Sequence, residues 1–371
     1  RTRSQLLEQI LRSEEIEIGE GIIGEVAQTC EGVLIPTAEN DPRIVQHKDP
    51  SLVVRSMIVT PLKFDEELIG VLAVANPDDD RSFDKMDQNL VESMAEQAAV
   101  ALHNLDNLND RIEKQKLDLD LTLARDVQRL LLPTRFPETG TLDIHALYTP
   151  AQKVSGDFYD VIPLQDGKVG VAIADVSGKG VPASLLMAIC HTSLRHYAQA
   201  HESPSSVLRA MNAEMSAEMR KDMFITLVYA VIDGEKGTIT LARAGHELPL
   251  HLQKNGNGEY SADPVDSDGM ALGMVPCEIF DEVIQDKTIS FGAGESFLLY
   301  TDGVTETTNL DDEEYSAKRL RNLFKSLRKE SSERINQEIF ESLEQFKGDN
   351  HHHDDITLLA VRHKPADSSG A

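Results

Sequence analysis

Cysteine is nearly missing from this chain of 371 residues: Cys30, Cys190 and Cys277 are odd in number and widely spaced. That excludes a disulfide framework and fits a reducing compartment. Long apolar runs are missing too, none approaching the roughly 18 residues that a membrane-spanning helix needs. The opening stretch from Arg1 to Ile10 lacks the charged-then-apolar order of a signal peptide, and its start on Arg1 without a methionine suggests a fragment. A cytoplasmic protein with no membrane partner is expected. Cations are scarce: 36 Lys and Arg against 63 Asp and Glu leave a net charge of -27. Nucleic acid is therefore a poor partner, because binding it draws on Lys and Arg that displace counterions.

What is present bounds the architecture. Hydrophobic residues at 40% and charged residues at 27% describe a globular chain. Its length exceeds the roughly 250 to 300 residues at which a single core stops growing, so two domains are expected.

Residues 18–86 read as alternating strand and turn. Gly19-Glu20-Gly21-Ile22-Ile23-Gly24 opens a glycine-rich loop, and residues 56–62 and 68–76 are strand-like. A small antiparallel sheet follows from this. The loop matches a dinucleotide fingerprint only loosely, with no βαβ unit around it, and reads better as a turn needing positive φ. Together with Asp41-Pro42-Arg43 and Ser82-Phe83-Asp84, this stretch resembles the later two-thirds of a GAF sensory domain, over residues 15–105. The resemblance implies an input domain at residues 1–104, incomplete at its start, with a small-molecule or protein input that the residues do not name.

From residue 85 to 132 there is no glycine, and the first proline is Pro133. One helix, about 70 Å long at 1.5 Å per residue, is the economical reading. Leu105, Ile112 and Leu119 fall seven apart with Leu108 between them; Leu123, Val127 and Leu130 continue with the phase slipped by one. A narrow apolar seam flanked by charge predicts a two-chain coiled coil over residues 105–132, and hence a homodimer. The alternative is a helix that packs on its own catalytic domain.

Beyond Pro133 strands outnumber helices. Strands are expected at 143–148, 168–176, 224–233, 237–244, 281–290, 297–301 and 356–361. Helices are expected at 182–200, 205–220 (with Ser206 as a possible cap), 316–328 and 332–346. Helices arriving in adjacent pairs predict an α+β sandwich, two facing sheets with helices outside, rather than a doubly wound parallel sheet. This domain is expected over residues 133–363, with a flexible tail at 364–371.

Four acidic motifs each place an aspartate beside glycine or at an expected strand end: Val154-Ser155-Gly156-Asp157, Asp175-Val176-Ser177-Gly178, Thr301-Asp302-Gly303 and Asp354-Asp355-Ile356-Thr357. A sheet collects its strand ends at one edge, where like charges repel unless a cation neutralises them. Hard carboxylate oxygens suit magnesium or manganese. His351-His352-His353 invites a zinc reading, but consecutive side chains diverge, and a solvated loop is the better expectation.

With Phe158-Tyr159-Asp160, Lys179-Gly180, Ala244-Gly245-His246 and Val304-Thr305-Glu306, these motifs resemble the SpoIIE/RsbU-like branch of the PPM metal-dependent serine/threonine phosphatases. The likeness spans residues 122–363, in the family's order, and includes the Leu-Leu-Pro ending at Pro133. It implies a PPM-type αββα sandwich and two divalent cations, Mn2+ or Mg2+. Asp175 would bridge them with the carbonyl of Val176 adding a ligand, Asp302 and Asp354 would complete one metal, and Asp157 would hold a metal or its waters. Asp355 stands beside Asp354 as the other candidate of the last pair. Asp157, Asp175, Asp302 and Asp354 form the implied catalytic set, activating a water for in-line attack without a phosphoenzyme. A phosphorylated STAS-type anti-sigma-factor antagonist is the implied substrate, within partner switching. Lys179 and Arg243 are weaker candidates for touching phosphate.

Overall fold

The computed structural model of the protein describes residues 16–365, apart from 40, 45–52, 80, 221, 255, 257–258 and 353. The opening stretch from Arg1 to Ile10, most of the expected tail and His353 lie outside the described residues. The chain divides into two compact units, Arg1–Leu117 and Asp118–Ala371.

In the first unit, helix α1 (Gly21–Thr29) precedes strands β1 (Val33–Ile35), β2 (Met57–Phe64) and β3 (Glu67–Ala75), which form an antiparallel sheet in the order β1-β2-β3. The expected sheet is there, but the glycine-rich stretch is mostly helix. Gly19 does take a φ of 92°, whereas Ile22 and Val26, four apart, point into the small core with Ile35 and Val59. Helix α2 (Lys85–Arg129) starts where the Asp84 carboxylate accepts from the amides of Met86 (2.8 Å) and Asp87 (3.0 Å). It runs 45 residues and ends at Arg129, short of the expected residue 132 because Leu130 and Leu131 close a tighter turn on Val127 and Gln128. Ala95 and Ala99 are buried, while Leu105, Leu108, Ile112, Leu119, Leu123 and Val127 are all more than half exposed.

The second unit is the expected sandwich. Its elements are β4 (Leu142–Thr149), β5 (Phe158–Pro163), β6 (Val169–Val176), α3 (Val181–Ala200), α4 (Pro204–Glu218), β7 (Ile225–Asp233), β8 (Thr238–Ala244), β9 (Leu250–Lys254) and β10 (Tyr260–Pro264). There follow α5 (Cys277–Val283), β11 (Lys287–Ser290), β12 (Ser296–Tyr300), α6 (Asp302–Thr305), α7 (Ser316–Ser326), α8 (Ser332–Lys347) and β13 (Ile356–His363). One antiparallel sheet has the order β10-β9-β12-β13-β4 and the other β11-β8-β7-β6-β5. Strand period explains the layering. Along β12 and β13, Phe297, Leu299, Leu359 and Val361 pack against the other sheet, whereas Leu298, Tyr300, Leu358 and Ala360 pack under α7 and α8.

Three expectations are corrected. Residues 281–290 are not one strand, because Phe280 and Ile284 are buried in a short helical turn before β11 starts. Helix α4 is capped by Ser203, whose hydroxyl accepts from the Ser206 amide, so Ser206 closes the capping box and Pro204 opens the helix. β5 and the β9/β10 hairpin were absent from the expected strands.

Candidate active site

Antiparallel pairing brings the acidic motifs to one edge. Phe158 pairs with Ala174, so Asp157 at the start of β5 lies beside Asp175 at the end of β6. Tyr300 pairs with Leu358 in the other sheet, which sets Asp302 beside the Asp354-Asp355 loop. The sheets are tied there by the Thr357 hydroxyl, which donates to Asp157 Oδ2 (2.6 Å), while the Thr301 amide donates to the Thr357 carbonyl (3.1 Å) and extends the β12/β13 pairing. Two glycines permit the approach. A Cβ on Gly156 would sit 2.8 Å from the Val176 carbonyl oxygen, and one on Gly303 2.1 Å from that of Asp355, closer than side-chain carbons tolerate.

Collecting carboxylates under a sandwich costs ionisation free energy. Asp157 is 2% exposed; burial, then the charges of Asp175 and Asp355, push its pKa well above the usual carboxylate range. Asp175, within hydrogen-bonding reach of Asp157, is pushed up to about 7 by burial and by Asp302 and Asp354. Asp302 is raised by burial and by Asp354.

The last two acids have different surroundings. Asp355 is pinned: Oδ1 accepts from the Ala151 amide (2.7 Å) and Oδ2 from the Ser155 hydroxyl (2.5 Å), although burial still raises its pKa. Asp354 faces outward to Lys179 Nζ at 3.0 Å. Among the described residues no three acids, histidines or cysteines close on one point as a metal-ligand group. Instead Thr357 and Lys179 take individual carboxylates of the cluster. The donor set still fits hard divalent cations: buried carboxylate oxygens, mutually repelling, with one lysine nearby.

Other candidates separate from the cluster. Asp160 is fully buried on the side facing α3, bound by Arg195 Nε and Nη2 at 2.6 and 2.7 Å, while His191 Nε2 lies 3.1 Å away but off the hydrogen-bonding line. Those contacts hold its pKa low against the opposing effect of burial. His246 is buried, its Nε2 donating to the Tyr300 carbonyl (3.1 Å) and its Nδ1 accepting from Thr226 (2.7 Å). Burial lowers its pKa to about 4, so it is a neutral brace between the two sheets. Arg243 spends its guanidinium on the carbonyls of Ser267 (2.8 Å) and His246 (2.9 Å). His352 bonds to Glu344.

Sequence reading missed two kinds of residue. Glu247 and Glu306 sit near enough to Asp302 for its charge, added to burial, to raise both their pKa values; Glu247 follows the Ala244-Gly245-His246 motif, and Glu306 lies within a motif already quoted but was given no role. Gln128, near the end of α2, is 7% exposed. Its Nε2 donates to the Ser155 carbonyl (2.6 Å) and its Oε1 accepts from the Ser155 amide (3.1 Å). Ser155 Oγ in turn accepts from the Asp157 amide at 3.0 Å. An amide among the leucines at the end of the seam was the available signal.

Residues 165–364, more than half of the chain, match the family Stage II sporulation protein E (SpoIIE). The chain belongs to the SpoIIE family. This SpoIIE family member is a serine/threonine protein phosphatase of the metal-dependent PPM class. Its residues 3–102 match the GAF domain. It is 30% identical over 251 residues, 68% of this chain and 72% of the relative, to "Phosphoserine phosphatase RsbU" of Bacillus subtilis. Its fold is shared with the SiaA-PP2C domain of Pseudomonas aeruginosa, at 20% identity and a TM-score of 0.60, over 68% of this chain and 98% of that one. The RsbU and RsbW domains of Rv1364c from Mycobacterium tuberculosis align at 24% identity and a TM-score of 0.54, over 64% of each chain. Among the described residues no helix is long and apolar enough to cross a membrane.

Proposed function

We propose that this protein removes phosphate from phosphoserine or phosphothreonine on a STAS-type anti-sigma-factor antagonist, in a cytoplasmic partner-switching pathway. The gathering of four motif carboxylates at one edge of the sandwich carries this reading. The name of the Bacillus relative, and the RsbW domain accompanying an RsbU domain in the mycobacterial structure, support the partner class.

In this reading Asp157, Asp175, the Val176 carbonyl, Asp302 and Asp354 would hold two divalent cations, Mn2+ or Mg2+, with Asp175 as the ligand common to both. When bound, the cations neutralise phosphate charge and lower the pKa of a water. The chain's own residues do the rest. Asp355, held by Ala151 and Ser155, orients the loop that presents Asp354. Lys179, paired with Asp354 at 3.0 Å, would supply a positive charge of the chain beside the phosphate. Glycine at 156 and 303 lets the motif backbones close around the site. Added manganese should produce hydrolysis of a phosphoserine protein, and a chelator should abolish it. A folded protein with no hydrolysis at any manganese concentration would favour a silent scaffold that binds a signalling partner.

Residues 1–104 act as the GAF-like input, 105–132 as a dimerising linker, 133–363 as the phosphatase and 364–371 as a tail. The exposed seam of α2 supports a helix pair. Ile112→Asp should shift the protein towards monomer in sedimentation and change its activity. A monomer with unaltered activity would remove the linker from regulation.

A further inference from the structure

Between the third and fourth acidic motifs in the chain, α7 bounds with β10 a groove of about 320 Å³ lined by three cations and one acid, Asp263, in a strongly acidic protein. Residues 318–329 carry Lys318, Arg319, Arg321, Lys325, Arg328 and Lys329 without one acid, in a chain that has 63 acids. Lys318, Arg321, Asn322 and Lys325 recur at helical spacing and line the groove, while Leu320 and Phe324 of the same helix are fully buried beneath the sheet. Like charges at this spacing destabilise a helix, and the exposed lysine heads add nothing to the core. Arg321 has structural work, donating to the Ala262 carbonyl (3.0 Å) with Asp263 at 3.6 Å. Among the described residues Lys318 and Lys325 pair with no carboxylate.

We propose that this groove docks an acidic segment of the phosphoprotein substrate. The proposal rests on the protein-phosphatase reading for the owner of the segment, but not for the binding itself. A net charge of -27 repels an acidic partner at long range. A compact basic groove reverses that within a Debye length of about 8 Å and so selects partners that place acids at the right spot. β10 is an edge strand, suited to lie beside an extended segment. Extended polyanions such as nucleic acid or an anionic membrane are disfavoured by the chain's net charge of -27.

The test compares the full chain with its Lys318→Glu/Lys325→Glu variant, using a fluorescent peptide of alternating Asp and Glu and its Gln-substituted counterpart. At low salt the acidic peptide should bind more tightly than the neutral one. The double variant should weaken acidic-peptide binding by about tenfold with an unchanged melting temperature, and high salt should remove the difference. Equal binding of the two peptides, or equal binding by the two proteins, overturns the proposal. So does a single-stranded oligonucleotide or an anionic vesicle that binds better than the peptide and loses its affinity in the variant. Manganese-dependent hydrolysis of p-nitrophenyl phosphate, measured alongside, should be the same in both proteins. Its absence from both would sink the catalytic reading and leave the peptide result to decide the groove.

Discussion

Asp175→Asn should lower turnover of a phosphoserine protein by about three orders of magnitude, because it removes charge from the carboxylate proposed to bridge the cations. The same substitution should raise the stability of the metal-free protein at alkaline pH. The sign follows from linkage. An acid whose folded pKa is raised stabilises the fold while protonated, and that contribution is lost as pH rises from the unfolded value near 4 through the folded value of about 7. Asn cannot ionise, so the variant should melt above the parent at pH 8, and the gap should close at pH 5. Manganese should raise the melting temperature of the parent far more than that of the variant. Near-normal turnover in the variant would refute the bridging role.

Gln128→Ala is the second large effect expected. Gln128 satisfies both backbone groups of Ser155, and its loss strands a buried N–H and a buried C=O at about 1 to 3 kcal/mol each. Ser155 spans Asp157 and Asp355, so its displacement reaches two acidic motifs at once. Manganese affinity by calorimetry should weaken at least tenfold, together with kcat. Gln128→Glu, which keeps an acceptor but loses the donor, should restore little of either. If Gln128→Ala merely lowers the melting temperature and leaves manganese affinity and kcat intact, the amide is packing alone. The result matters for regulation, since Gln128 belongs to the helix that bears the exposed seam. Gln128 links the end of α2 by hydrogen bonds to Ser155 and, through Ser155, to Asp355. Lys153, which reaches Asp118 (2.7 Å) and Thr122 (3.0 Å) on the same helix, supplies a second anchor for the 150–156 loop.

Much of the architecture was legible because simple periods governed it. The run without glycine or proline at 85–132 holds the 45-residue α2, and the apolar runs at 169–176 and 225–233 are largely buried central strands. Failures came where local chemistry outweighed period. Glycines at 19, 21 and 24 mask a helix whose only long-range signal is Ile22 and Val26. β5 was overlooked because Asp160 interrupts an apolar run, and its burial is explicable only through Arg195 on α3.

By itself the sequence determined the four acidic motifs, their order, the unbroken run that holds α2 and the strands at β12 and β13. Each follows from residue identity and spacing along one strand or helix, where the geometry is set by the backbone. Only the tertiary structure decided that Asp355 is tethered by Ala151 and Ser155 while Asp354 faces Lys179, that His246 is a neutral brace, and that Gln128 grips Ser155. Those outcomes depend on burial and on partners up to about two hundred residues apart. Ionisation and hydrogen bonding respond to neighbours in space, and only the folding of two sheets onto one another brings those neighbours together.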